Sequence, residues 1–201
     1  MSEITLRAKI LMIGDGGVGK SAFRRAWLGE TFRSQYFMTI GADFASKEIS
    51  FFDPPTNTTY TVKFQIWDLA GQPRFKVVSE LYYRGAVGAL CFFDITNLES
   101  YLNLVNWINS YWKLNGDGQR PLLIVGAKCD LRKYSNFKHV PEKHGIEYAR
   151  ELTKLVKKEN DFTIHYIETS AKENINVDKT FRVLSAEIVK VYNQIMKSVL
   201  R

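Results

Sequence analysis

Gly14-Asp15-Gly16-Gly17-Val18-Gly19-Lys20-Ser21 is the stretch on which the fold turns. Its spacing, glycine, four residues, then Gly-Lys-Ser, is that of a phosphate-binding P-loop. The setting agrees: Lys9-Ile10-Leu11-Met12-Ile13 reads as a strand before it, and Ala22–Leu28 as a helix after it. Glycines let the backbone curl until successive N–H groups, those of Gly16, Gly17, Val18, Gly19, Lys20, Ser21 and Ala22, face phosphate oxygens. The helix start adds about half a positive charge at the same point. Lys20 is placed to lie across the β- and γ-phosphates, and the Ser21 hydroxyl to ligate Mg²⁺. A glycine-rich turn that binds nothing has no need of this spacing between a strand and a helix. The loop alone leaves ATPases, GTPases and small-molecule kinases open.

Outward from the loop, apolar strand patterns alternate with helical ones. Ile4–Ile13, Ala42–Phe52, Tyr60–Trp67, Gly88–Asp94, Pro121–Ala127 and Thr163–Ile167 are the strand candidates. Runs such as Ala89-Leu90-Cys91-Phe92-Phe93 are apolar throughout, as strands buried on both faces are. Leu98, Tyr101, Val105, Ile108 and Trp112 recur at helical spacing behind a candidate N-cap, Asn97. Val177, Phe181, Leu184, Ile188, Val191, Ile195 and Val199 trace a second stripe, with Asn176 at its cap position. Asp53–Thr59, with two prolines, reads as a hairpin connection. Such alternation predicts a mostly parallel sheet with helices on both faces.

The 201 residues are 45% hydrophobic and 24% charged, which excludes intrinsic disorder and suits one well-filled domain. The net charge of +7 raises nucleic-acid binding as a question. Residues 1–100 carry 11 basic against 10 acidic side chains, whereas residues 101–201 carry 17 against 11. The excess is regional, and no nucleic-acid-binding motif accompanies it. Two cysteines, Cys91 and Cys129, give no disulfide framework and suit a reducing compartment. Met1–Lys9 lacks the apolar core of a signal peptide, and no apolar run approaches the ~18 residues needed to span a bilayer.

Three further segments narrow the chemistry. Asp68, at a strand end before Leu69-Ala70-Gly71-Gln72, can hold Mg²⁺ through a water, and Gly71 can offer its N–H to a γ-phosphate. Gly126-Ala127-Lys128-Cys129-Asp130 places Asp130 at the carboxyl end of a strand, where open α/β sheets bind ligands. Glu168-Thr169-Ser170-Ala171-Lys172 leaves the next strand in the same way. Together these segments resemble the small GTPases of the Ras superfamily. Ile40-Gly41-Ala42-Asp43-Phe44, Lys63-Phe64-Gln65-Ile66-Trp67-Asp68 and Tyr82-Tyr83-Arg84-Gly85-Ala86 resemble the Rab branch in particular.

The resemblance implies the three-layer α/β fold of P-loop NTPases, a six-stranded sheet with one antiparallel strand, in one domain over 1–201 with its core at about 5–198. It implies a GTP/GDP switch with Mg²⁺ held by Ser21, Thr39 and Asp68, and slow GTP hydrolysis supported by Lys20, Thr39 and Gln72, the last orienting water. Phe32 would meet the guanine ring edge-on and Tyr36 would cover the phosphates. Lys128 would lie along the base, Asp130 would accept from guanine N1–H and the exocyclic amine, and Ser170, Ala171 and Lys172 would brace that loop. Phe44, Trp67 and Tyr82 match the aromatic trio that Rab proteins present to effectors, although Trp67 reads equally as core. An exchange factor, a GTPase-activating protein and effectors are the implied partners, met through the switch segments around Thr39 and Gln72; nucleic acid is not among them.

Three departures qualify that picture. Ala127 stands where the family has an asparagine that ties the P-loop to the base loop, so faster nucleotide exchange with guanine selectivity kept is expected. Pro73 follows Gln72 and restricts its backbone, so slow, partner-dependent hydrolysis is expected. The alternative is a nucleotide-loaded scaffold with negligible hydrolysis. The end, Ser198-Val199-Leu200-Arg201, carries no cysteine, which leaves three readings: a chain that is trimmed, a soluble protein, or one held weakly at a membrane by its charge. The expectation is a cytoplasmic monomer, with at most weak peripheral membrane contact and no lipid anchor in the sequence given.

Overall fold

The structure, a computed structural model, describes residues 2–32, 39, 41–71, 81–116, 120–134, 138–156 and 160–199. Six strands are β1 (Ser2–Gly14), β2 (Ala42–Asp53), β3 (Thr58–Leu69), β4 (Gly88–Asp94), β5 (Leu122–Ala127) and β6 (His165–Thr169). They form one sheet in the order β2-β3-β1-β4-β5-β6. β2 runs antiparallel to β3 through a tight turn at Pro54–Thr56, and every other pairing is parallel. Among the described residues the helices used below are α1 (Lys20–Trp27), α2 (Leu98–Leu102), α3 (Leu104–Asn115), α4 (Glu142–Val156) and α5 (Val177–Val199). None of the described helices is long and apolar enough to cross a membrane.

The period of two along the central strands divides the core. Ile10 and Met12 of β1, with Leu90 and Phe92 of β4, face a cluster built by α1 and α5. Leu11 and Ile13, with Ala89, Cys91 and Phe93, face a second cluster built by α3 and α4. Both faces are covered, hence the unbroken apolar runs. On the first face Trp27 stacks on Phe181, ring centroids 3.5 Å apart, and Phe64 meets Trp27 edge-on at 5.8 Å. This aromatic block clamps α1, the helix that follows the P-loop, onto the sheet and α5.

Three sequence readings are corrected. The apolar stripe Leu98, Tyr101, Val105, Ile108, Trp112 does not face the core as a unit: Leu98 and Val105 are 57% and 46% exposed. Asn103 divides the segment into α2 and α3, and the buried face is Leu104, Ile108 and Tyr111. Asn103 and Trp107 hydrogen-bond to the P-loop, and that polar tie rotates the neighbouring positions onto the sheet. The expected N-cap holds, with the Asn97 side chain accepting from Ser100 N–H at 3.2 Å. The strand expected at Thr163–Ile167 begins instead at His165, because the N–H groups of Thr163 and Ile164 are taken by the side chains of Glu187 and Thr153. On α5 the stripe leaves the core after Val191, and Ile195 and Val199 are exposed.

Glu187 is a buried carboxylate that joins α5 to the start of β6. It accepts from Thr163 N–H at 2.9 Å, His165 Nε2 at 2.9 Å and Lys190 Nζ at 2.8 Å. Burial pushes its carboxyl up, but the hydrogen bonds from His165, Lys190 and Thr163 together hold it below its ordinary 4.5. Its contribution is therefore complete above that pH and is lost as pH falls through the lower folded-state value. Glu187→Ala is expected to lower the unfolding free energy by about 3 kcal/mol at neutral pH. Urea titrations of both proteins should show that gap closing below about pH 4.

Candidate functional site

β1, β3, β4, β5 and β6 are parallel, so their carboxyl ends share one edge of the sheet. Gly14, Leu69, Asp94, Ala127 and Thr169 end those strands, and the P-loop and the segments that follow Asp68, Ala127 and Thr169 leave from this edge. β1 sits between β3 and β4, where the chain crosses from one half of the sheet to the other. Open α/β sheets bind ligands at that switch point.

The P-loop is held close to the sheet. Gly14 has φ +134°, and a Cβ there would stand 2.2 Å from the Phe92 carbonyl oxygen, so glycine is required on both counts. The start of α1 has no side-chain cap and no acidic residue in its first turn, which leaves its N–H groups to an anion. Lys20 Nζ donates to the carbonyls of Gly14 at 2.7 Å and Asp15 at 2.8 Å. Burial pushes this ammonium down to about 8, with Asp68 and Asp15 opposing the shift. The lysine is thereby a desolvated cation at the helix start.

Beside it stand the groups proposed for Mg²⁺. The Ser21 and Thr39 hydroxyls are 2.9 Å apart. Asp68 is fully buried, and among the described residues neither of its oxygens has a hydrogen-bond partner of normal geometry. Arg24 Nε lies 3.7 Å away and its terminal nitrogen bonds to Asp43 instead. Burial pushes the Asp68 carboxyl up, opposed by the nearby Ser21 hydroxyl and by Lys20 and Arg24. An orphaned buried carboxylate next to two hydroxyls fits a hard divalent cation. Among the described residues no group of three or more His, Cys, Asp or Glu side chains gathers as a metal site. Such a cation would depend on hydroxyls, water and ligand oxygens, the usual company of Mg²⁺.

Gly71 closes the same corner. A Cβ on it would fall 2.4 Å from both the Gly14 carbonyl oxygen and the Asp15 carbonyl carbon, so its backbone presses on the loop. Ala70 N–H donates to the Gly41 carbonyl at 2.9 Å, joining the chain after Thr39 to the end of β3.

The expected base site lies further along the edge. Lys128 adopts φ +66°, and its ammonium pairs with Asp94 at 2.6 Å. Asp94 in turn accepts from the Thr96 N–H and hydroxyl, each at 2.8 Å. Ser170 donates to Asp130 at 2.6 Å, and its backbone pairs with Ile175. Ala127 offers a methyl group where a Cβ on Gly19 would come within 3.8 Å, so P-loop and base loop meet here without a hydrogen-bonding side chain. Phe32 is 43% exposed and outside the core. Phe44 meets Trp67 edge-on at 5.7 Å and Trp67 stacks on Tyr82 at 5.1 Å, one continuous aromatic surface with Trp67 half-buried. Tyr36, Gln72 and Pro73 lie outside the described residues.

Sequence reasoning missed four contributors. Asp94 anchors Lys128. Arg132 forks onto Glu168, with Nε donating at 2.6 Å, and so ties the Lys128–Asp130 loop to the strand that leads to Ser170. Tyr166 adds a 2.6 Å bond to the same carboxylate. Asp15, inside the motif itself, is bonded to Asn103 and Trp107. An asparagine in mid-stripe was the one local signal for the last of these.

The fold, with a phosphate loop between its central strand and first helix, is that of the P-loop NTPases. Residues 9–190 match the model of the Ras family. The GTP-binding protein YPTM1 of Zea mays is 38% identical over 189 residues, which span 94% of this chain and 81% of that protein. Ras-related protein Rab-8A of Bos taurus is 36% identical over 180 residues, 90% of this chain and 77% of that one. Ras-related protein Rab-13 of Canis lupus familiaris is 35% identical over 181 residues, 90% and 79% respectively. The chain belongs to the Ras family of small GTPases and is closely related to Rab-type members. Membership supports a GTP/GDP-binding switch of Rab type.

Proposed function

We propose that this chain is a working switch that binds GTP and GDP and hydrolyses GTP, as a monomeric domain over residues 1–201. The observation that carries the reading is Asp68: a buried carboxylate that, among the described residues, has no hydrogen-bond partner of normal geometry, beside the Ser21–Thr39 hydroxyl pair and the Lys20 ammonium. The loop N–H groups and Lys20 bind the phosphates, while Ser21, Thr39 and Asp68 hold Mg²⁺. Bound Mg²⁺ would neutralise charge developing on the transferred phosphoryl oxygens. Thr39 and Gly71 close on the γ-phosphate and are released on hydrolysis. Gln72 orients the attacking water, with Pro73 keeping that step slow. Asp130 reads guanine, Lys128 lies along it, and the Phe32 ring meets its edge. The Phe44–Trp67–Tyr82 surface is where effectors dock, in a cytoplasmic protein with at most weak peripheral membrane contact.

The nucleotide released on denaturing the purified protein, followed by multiple-turnover phosphate release with and without Mg²⁺, tests this. Bound guanine nucleotide with Mg²⁺-dependent turnover is the expected result. Tight binding without turnover would leave the scaffold alternative standing. Equal affinities for GDP and ADP in calorimetric titration would sink the guanine assignment. Ala127→Asn is expected to tighten GDP by roughly 10-fold or more, since a buried hydrogen-bonding side chain contributes about 1–3 kcal/mol. The same titration reads it.

A further inference from the structure

Asp15 places a negative charge inside the loop proposed to bind an anion. Left to itself, its carboxylate would repel phosphate and compete for Lys20. In the structure the Lys20 ammonium bonds to the main-chain carbonyl of Asp15, at 2.8 Å, and not to its carboxylate. The carboxylate is engaged elsewhere. Asn103 Nδ2 donates to Oδ2 at 2.8 Å, and Trp107 Nε1 donates to Oδ1 at 2.8 Å. These donors come from residues 88 and 92 positions along the chain, Asn103 at the α2–α3 break and Trp107 one turn into α3. Both are neutral, so they fix the carboxylate without adding a cation to the site. The Gly14–Asp15 backbone is also flanked by Gly71, with no room for a side chain there.

We propose that Asn103 and Trp107 are positioning residues for the phosphate site, holding the Asp15 carboxylate off Lys20 so that the ammonium stays available to a polyphosphate. The inference rests on reading Gly14–Ser21 as that site. Trp107→Phe keeps an aromatic ring and removes the N–H donor; Asn103→Ala removes the other donor. Both residues are half-buried, so the fold tolerates the changes better than a core substitution.

The test measures dissociation constants of GDP, GTP and inorganic pyrophosphate for wild type, each single variant and the pair. Affinity is expected to fall roughly 10-fold per donor and more for GTP than for GDP, since the freed carboxylate repels the more highly charged ligand more. Asp15→Asn added to the double variant is expected to restore affinity to within about 3-fold of wild type, because the competing charge is gone. A purely structural role predicts no such rescue. Wild-type affinity in the double variant, or no rescue in a triple variant with the wild-type melting temperature, overturns the proposal. Wild-type protein that binds pyrophosphate but not GDP overturns the guanine reading and leaves this arm intact. Protein that binds neither overturns both.

Discussion

Lys20→Ala is expected to weaken binding of both GDP and GTP by roughly 10³-fold while the chain stays folded. A charge-assisted hydrogen bond contributes about 1.5–3 kcal/mol, and Lys20 is placed to make more than one to a polyphosphate. The buried setting raises the value of each, because water does not screen a side chain that is 6% exposed. Desolvation already holds the ammonium at about 8, which is the counterpart of a cation kept ready for an anion. The fold should survive because Lys20 lies outside the aromatic block of Trp27, Phe64 and Phe181 that fastens α1. Calorimetric titration against wild type, with circular dichroism as the folding check, decides it. A loss smaller than about 10-fold would mean that the phosphates lie elsewhere.

Asp130→Asn is expected to exchange the base that the protein prefers. Guanine presents two donors, N1–H and the exocyclic amine, and a carboxylate accepts both. An amide accepts one and presents its own N–H to the other, which leaves guanine clashing donor against donor. Xanthine presents a donor and a carbonyl, so it suits the amide. GDP affinity should fall roughly 10³-fold while xanthosine diphosphate becomes the tighter ligand, in line with the size of such buried mismatches. Asn keeps a carbonyl oxygen for the 2.6 Å bond from Ser170, so the loop geometry is retained. Unchanged preference for GDP would remove Asp130 from the base site.

How much of this was readable beforehand follows from how local each feature is. β4 runs from Gly88 to Asp94 as its apolar run reads, because burial on both faces leaves its whole length apolar. The P-loop was legible since its strand, glycines, lysine and helix are contiguous. The face of α3 was not. Its rotation is set by Asn103 and Trp107 reaching the Asp15 carboxylate, a contact between residues 88 and 92 positions apart. Nor did the sequence disclose that Asp94 holds Lys128, or that Arg132 reaches Glu168, since each pair sits on different strands' ends and meets only once the sheet has formed. The start of β6 was misplaced for the same reason: Glu187, far along α5, takes the N–H of Thr163 that a ladder would have used.

β1 has a practical consequence. It runs 13 residues, and at about 3.3 Å per residue its two ends are roughly 40 Å apart. Gly14 opens the phosphate loop, whereas Ser2 is pinned at the far end, its hydroxyl 2.7 Å from that of Thr58. A fluorophore or surface tether attached at Ser2 therefore sits at the opposite pole from the nucleotide edge. Immobilised that way, the molecule presents its Lys20 and Asp130 edge outward, toward solution.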